Sequence, residues 1–251
     1  MPILAYVSNY YIIQVMKIDP ITKNKISVVI AAYNEAPRIA QVLSVVEHHP
    51  LVHEVIVIND GSTDITSEII QKFNVTLIEN NVNIGKTLSV KKGIKASKND
   101  LIMLLDADLQ GLTKEAVSNL AKPVIDGRVD WTLSLRNNSF HIMKLLKVDW
   151  VSGERVIPKN LLMDPLIWSN PNIGYGLETL INKSLLRDHK TFRSVYLPNV
   201  TNTNKAKKIG FLKGWVNDFK MVGQISKVIP LHKFFGQFIH MSYLNRKYSK
   251  Q

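Results

Sequence analysis

The chain of 251 residues contains no cysteine. That excludes disulfides, Cys-ligated zinc, iron–sulfur clusters and a thiol nucleophile. Long apolar runs are missing too. The uncharged opening, Met1 to Met16, is broken by Ser8, Asn9 and Gln14 and falls short of the roughly 20 apolar residues that span a bilayer. No basic residue precedes it and no small-x-small site follows, so it is not expected to be a signal peptide. Acidic residues are scarce where basic ones are dense. Between 201 and 251, ten Lys/Arg stand against one acid, Asp218, and carry nine of the twelve net positive charges. That asymmetry predicts a polyanionic partner (nucleic acid, an anionic membrane surface or a phosphorylated substrate), or simply a well-solvated surface. The expected location is cytoplasmic, or peripheral at the inner face of the membrane.

Known phosphate signatures are also lacking. Gly85-Lys86-Thr87 ends like a P-loop, but Asn80 stands where its first glycine belongs. No Gly-x-Gly-x-x-Gly follows the first strand, so a dinucleotide dehydrogenase is not expected. His48, His49 and His53 lack zinc spacing and are expected to be solvated or to face a helix dipole.

The positive pattern is an alternation of strands and helices. Lys25–Ala32 is a continuous β-branched run that reads as a strand buried on both faces, and Glu54–Asn59, Val75–Ile78 and Leu101–Leu105 read as three further strands. Helical spacing lies between them: around Ile39, Val42, Leu43 and Val46, through Ile69 and Ile70, and over Lys86–Ala96. This predicts an α/β fold with a mostly parallel sheet flanked by helices. Beyond residue 112 the rhythm loosens, with helices expected at Thr113–Leu120, Phe140–Leu146 and Gly174–Leu186 and a strand at Trp131–Leu135. Three units are predicted: an N-terminal extension at 1–24, a single domain at 25–222 (halves 25–112 and 113–222), and a basic amphipathic helix at 223–251. In that helix Leu231, Phe234, Phe235, Phe238 and Met241 share one face, opposite Lys233, His240 and Lys247. The apolar face suits either the protein's own core or a membrane interface.

Ligands of open parallel sheets bind at the strands' carboxyl ends. Tyr33-Asn34-Glu35, Asn59-Asp60-Gly61-Ser62 and Asp106-Ala107-Asp108-Leu109-Gln110 all fall there. Asp106 and Asp108 emerge from a buried strand, and two such close carboxylates repel unless a positive charge lies between them. A hard cation, Mg²⁺ or Mn²⁺, answers that need, with Gln110 as a further oxygen ligand and a nucleotide diphosphate completing the shell. The bland alternative is an acidic turn capping the next helix.

Taken in order, Ile26–Glu35 (ISVVIAAYNE), Val57–Asp64 (VINDGSTD), Asn83–Lys86 (NIGK), Gly93 with Ala96, and Leu104–Gln110 (LDADLQ) resemble the glycosyltransferase family 2 pattern. The resemblance implies a GT-A-type, Rossmann-like fold with a less regular acceptor half. It implies that Tyr33 stacks on a nucleobase, that Glu35 shapes its pocket and that Asp60 hydrogen-bonds the base. Lys86 would join the nucleotide-sugar site, while Asp106 and Asp108 hold the diphosphate through the metal, with Gln110 in its shell as in the dolichol-phosphate mannose synthase branch. Ser152-Gly153-Glu154-Arg155 resembles an acceptor-side segment of polyprenol-phosphate transferases. Gly174-Tyr175-Gly176-Leu177-Glu178 resembles that of glucosyl-3-phosphoglycerate synthases. Relatives often carry a metal-binding His where this chain has Asn199–Asn204, and Ala32 and Thr87 replace a usual Pro and Gly.

The implied function is metal-dependent transfer of a sugar from a UDP- or GDP-sugar to a lipid-phosphate, phosphorylated small-molecule or glycan acceptor. Glu178 is the expected general base with Glu154 as runner-up, and Arg155 or Lys205, Lys207 and Lys208 would hold phosphates. The alternatives are a nucleotide-sugar-binding protein without turnover and a basic nucleic-acid-binding protein. The latter is disfavoured because the tail shows no nucleic-acid motif.

Overall fold

A computed structural model describes residues 25–139, 141–169, 176–202 and 231–248. The extension at 1–24, Gly174 and Tyr175, the Lys205/Lys207/Lys208 cluster and the segment 223–230 lie outside the described residues.

The first half follows the sequence pattern closely. Strands β1 (Ile26–Ala32), β2 (Val52–Asn59), β3 (Thr76–Glu79) and β4 (Leu101–Asp106) are joined by α1 (Ile39–Val46), α2 (Thr66–Ile70) and α3 (Lys86–Ala96). All four strands run parallel, with β1 between β2 and β4. Alternate β1 residues serve two separate cores. Val28, Ile30 and Ala32 pack with α1 and α4 (Lys114–Ile125), whereas Val29 packs with Val90 and Ile94 of α3. Both faces being covered, the run shows no polar alternation. Each such buried aliphatic side chain contributes about 1.5–3 kcal/mol. Helix α3 lies so close to the sheet that a Cβ on Gly93 would stand 2.5 Å from Val29 Cγ1 and 2.6 Å from Ile58 Cδ1. The glycine is required by that approach.

The second half completes a seven-stranded sheet of order β3-β2-β1-β4-β7-β6-β8. Here β6 is Trp131–Arg136, β7 Arg155–Pro158 and β8 Phe192–Leu197. The sequence pattern pointed to β6 but to neither β7 nor β8. β7 has four residues and ends in proline, too short for a period to register. It runs antiparallel to both β4 and β6, so the sheet is mixed, though mostly parallel. Short strands β5 (Leu109–Gln110) and β9 (Thr201–Asn202) pair separately. Helices α5 (His141–Leu146), α6 (Gly176–Arg187) and α7 (Leu231–Tyr248) and two 3₁₀ turns, Lys159–Met163 and Pro165–Trp168, complete the described elements.

One expectation changes on folding, and one open alternative is decided for the residues described. His49 is not solvated. It is 2% exposed, its Nδ1 accepts from Leu51 N, and its Nε2 lies 2.9 Å from Lys114 O, tying α1 to α4. Burial lowers its pKa, as expected for a neutral imidazole held by backbone groups. On the apolar face of α7, Phe238 and Met241 pack on the body. Phe238 meets Trp150 with ring centroids 3.9 Å apart, and Met241 is fully buried. Asn245 fastens the helix by accepting from Ser194 N and donating to Lys147 O. Among the described residues, no helix is long and apolar enough to cross a membrane.

Candidate active site

β1 separates strands that leave it in opposite directions, β2 on one side and β4 on the other. A crevice therefore opens between their carboxyl ends. Ala31 of β1 stands opposite Asp106 of β4, and Ala32 opposite Asn59 of β2. Tyr33, Asp60 and Asp106 thus share one edge, and Tyr33 is 45% exposed there. Asn34 adopts a left-handed conformation, φ 55°, with its side chain accepting from Thr63 N at 2.8 Å. This locks the first loop to the second. Glu35 is held by Arg38 at 2.6 Å, while its backbone N–H donates to Thr66.

Asp60 is buried and already engaged. Its oxygens accept from the Asn80 side chain and from the backbone N–H groups of Ile84 and Gly85, each at 2.9 Å. It therefore folds the 80–85 loop into the wall of the crevice and delivers Lys86, the first residue of α3, into the site.

Lys86 Nζ donates to Asp106 Oδ1 and to Glu178 Oε1, both at 2.8 Å. Burial works against the ammonium, yet the two carboxylates raise its pKa well above the ordinary lysine range. Glu178, in the first turn of α6, is 4% exposed and its Oε2 has no hydrogen-bond partner. Lys86, Asp106, Gly153 and Glu178 line a cavity of about 10 Å³, room for about one water. A larger groove of about 320 Å³, lined by Lys91, Lys95, Met163 and Trp168, contains none of the motif residues. Size does not mark the site here; converging charge does.

Behind Asp106 lies a buried ionic network that the sequence reading missed. Arg136, the last residue of β6, lies 3.8 Å from Asp106 Oδ2 and is held by Glu154 at 3.2 Å and Asp149 at 3.4 Å. Its position was in principle legible. It is the polar residue ending a buried strand, as Asp106 ends β4. Glu154 is fully buried, and its carboxyl also accepts from Ser134 at 2.6 Å and Ser152 at 2.7 Å. Burial resists the charge on Asp106, but Lys86 and Arg136 outweigh it and hold the carboxyl below its ordinary range. For Glu154 burial prevails. Arg136 draws its pKa down, Asp106 pushes it up again, and the net shift is upward.

Arg155 is also fully buried. Its three guanidinium nitrogens donate to Ser152 O, Asn182 Oδ1 and Trp150 O at 2.8, 2.5 and 2.9 Å. Burial brings its pKa down to about 10, which leaves it charged at neutral pH. These contacts join β7 to α6 and engage the nitrogens that were expected to meet phosphate.

Asp106, Asp108 and Gln110 offer hard oxygen donors. Asp108 is half-buried and Gln110 exposed. Among the described residues no three His, Cys, Asp or Glu side chains gather into a metal cluster. Two carboxylates suffice for a cation that takes its remaining ligands from water and phosphate. The Asp106 carboxylate already accepts a positive charge, the Lys86 ammonium. Gly153 leaves room beside it, where a Cβ would come within 2.4 Å of Oδ1. The donor set therefore fits Mg²⁺ or Mn²⁺. Of the 199–204 stretch, the described residues 199–202 reach the same place, since Thr201 pairs with Gln110 and Asn202 accepts from Asn138 at 2.8 Å.

Residues 27–188 match the model of glycosyl transferase family 2. The chain belongs to that family. It is 31% identical over 172 residues to poly-beta-1,6-N-acetyl-D-glucosamine synthase of Staphylococcus epidermidis, covering 65% of this chain and 40% of that protein. It is 28% identical over 135 residues to dodecaprenyl-phosphate galacturonate synthase of Rhizobium johnstonii, covering 49% and 40%. The chain thus spans about two fifths of the length of these relatives. Its fold resembles glucosyl-3-phosphoglycerate synthase of Mycobacterium tuberculosis in complex with Mn²⁺, UDP and glucosyl-3-phosphoglycerate. The TM-score is 0.63 at 21% identity, over 82% of this chain and 80% of that one. The fold is accordingly of the GT-A type, as the motifs implied.

Proposed function

We propose that this family 2 chain transfers a sugar from a nucleotide-diphosphate donor to a phosphorylated, lipid-phosphate or glycan acceptor, with Mg²⁺ or Mn²⁺ bound at Asp106 and Asp108. The observation that carries the reading is the convergence of Asp106, from the end of β4, and Glu178, from the start of α6, on one ammonium, Lys86. Acidic groups from the donor half and the acceptor half meet within one side chain's reach. That is the arrangement transfer between two substrates requires. The relatives named above act, by name, on a glycan, a polyprenyl phosphate and phosphoglycerate, so all three acceptor classes stay within the proposal.

The roles follow from exposure and reach. Tyr33 offers an exposed ring for a nucleobase, in a pocket built by Glu35–Arg38 and the loop that Asp60 folds. Asp106 and Asp108 hold the cation, with Gln110 beside them. When bound, the cation neutralises the leaving diphosphate as a Lewis acid. Glu178 is favoured over Glu154 as general base. A base must come within hydrogen-bond reach of the proton it takes. Glu154 is fully enclosed by Ser134, Ser152 and Arg136, whereas Glu178 borders the small cavity with an oxygen that nothing else engages.

Donor turnover with a panel of UDP- and GDP-sugars and Mn²⁺ tests the reading. Asp108→Ala should lower turnover by at least about 10²–10³-fold and abolish cation-dependent nucleotide binding. Full activity in that variant overturns the cation assignment. Tight binding of every donor without turnover in the wild type, acceptors included, would favour a nucleotide-sugar binder that has lost catalysis.

A further inference from the structure

Asp106 faces two cations that differ in how they are anchored. Arg136 is 7% exposed and is gripped on its far side by Glu154 and Asp149. Its guanidinium has nowhere to go. Lys86 is a flexible four-carbon stem whose side chain is 39% exposed, so its ammonium can swing into solvent while the stem stays in place. A divalent cation and an ammonium cannot both sit on Asp106 Oδ1 without strong repulsion. One of the two resident charges must give way, and only Lys86 can.

We propose, resting on the cation reading above, that Lys86 is a displaceable counter-ion that keeps Asp106 closed to free divalent cations until a nucleotide diphosphate arrives. Without nucleotide, a cation must break the Lys86–Asp106 pair and receives nothing in return. With nucleotide, the diphosphate supplies both ligands for the cation and negative charge to accommodate the displaced ammonium. The same movement releases Glu178, whose Oε1 is held by Lys86 and whose Oε2 has no partner. Loading the donor side thereby frees the carboxylate on the acceptor side. Cation and nucleotide become reciprocally coupled, each raising the affinity for the other.

The test is Mn²⁺ binding followed by electron paramagnetic resonance, with and without UDP, on the wild type and on Lys86→Met, Lys86→Gln, Lys86→Arg and Asp108→Asn. The wild type should bind Mn²⁺ weakly alone and more tightly with UDP. Removing the ammonium in Lys86→Met should raise nucleotide-free Mn²⁺ affinity about tenfold and shrink the gain from UDP. Lys86→Gln, which can still donate to Asp106 and so preserve folding, should do the same. Lys86→Arg keeps the charge and should bind like the wild type. If both neutral variants bind nucleotide-free Mn²⁺ no better than the wild type, the counter-ion role is overturned and the cation site stands. If Asp108→Asn retains full Mn²⁺ binding with UDP, the cation reading itself fails and takes the proposal with it.

Discussion

The donor half, β1 to β4, and the acceptor half, β6 to β8 with α6, handle charge in opposite ways. In the donor half, charged groups stand at strand ends and are held by single partners or by backbone N–H groups. Glu35 meets Arg38 three residues on, and Asp60 is saturated largely by backbone N–H groups of a single loop. In the acceptor half, charge is buried inside the fold. Arg155 and Glu154 are 0% exposed and Arg136 is 7% exposed, with partners up to 27 residues away. A carboxylate met by the backbone of one loop depends on that loop alone, whereas charges paired with one another inside the fold depend on every element that encloses them. The donor half is therefore built to present groups to a ligand, and the acceptor half to hold Asp106 in place from behind.

The largest expected effect lies in the acceptor half. Arg155→Met leaves Ser152 O and Asn182 Oδ1 without their donor and Trp150 O to Asn182 Nδ2. Two buried acceptors left unpaired, at about 1–3 kcal/mol each, should cost about 2–6 kcal/mol in urea unfolding. A loss below about 1 kcal/mol would mean the guanidinium is as dispensable as a surface charge, and the contrast between halves would collapse.

Gly153→Ala probes the seam between the halves. Its Cβ would meet the Asp106 carboxylate at 2.4–2.8 Å, so the carboxylate must move. Misplacing a reacting group by about 1 Å costs on the order of 10²-fold in rate. The expected result is that loss in turnover with the unfolding midpoint little changed. Unchanged kcat would show that Asp106 need not be held where it is.

The two central carboxyls should respond to pH with opposite sign. Asp106 has a lowered folded pKa, so its contribution is present above the unfolded value of about 3.9. It is lost as pH falls through the folded value. Glu154 has a raised folded pKa, so stability should fall as pH rises from about 4.3 through its folded value. Glu154→Gln keeps hydrogen-bonding capacity toward Ser134 and Ser152 while removing the charge. It should flatten that decline while the acid limb, set mainly by Lys86 and Arg136 on Asp106, persists. Urea titrations from pH 3 to 8 on both proteins measure this directly, and an undiminished decline in the variant would rule Glu154 out as its source.

The smallest effect is a purely local one. Thr113 caps α4 by accepting from Ala116 N at 3.1 Å. Thr113→Ala should cost about 1 kcal/mol and leave turnover unchanged. A larger loss, or any loss of activity, would show that this helix end is coupled to the site.

Read alone, the residues determine a good deal. Short apolar runs alternating with helical spacing point to parallel strands with their carboxyl ends together. That logic led from Ile26–Ala32 and Leu101–Leu105 to Asp106 and Asp108 without any coordinates. It also placed Phe238 and Met241 on one face of the last helix and His240 and Lys247 on the other, and burial follows that division. Only the tertiary structure decided what those groups touch. β7 is too short to show a period, so nothing in the chain announced that Arg155 starts a central antiparallel strand beside β4. Nor could spacing reveal that Lys86 and Glu178, 92 residues apart, share a hydrogen-bonded bridge. Local pattern reports which face of an element is apolar. Which charges neutralise one another is settled by packing, because the desolvation that makes those pairings necessary exists only once the elements have closed around them.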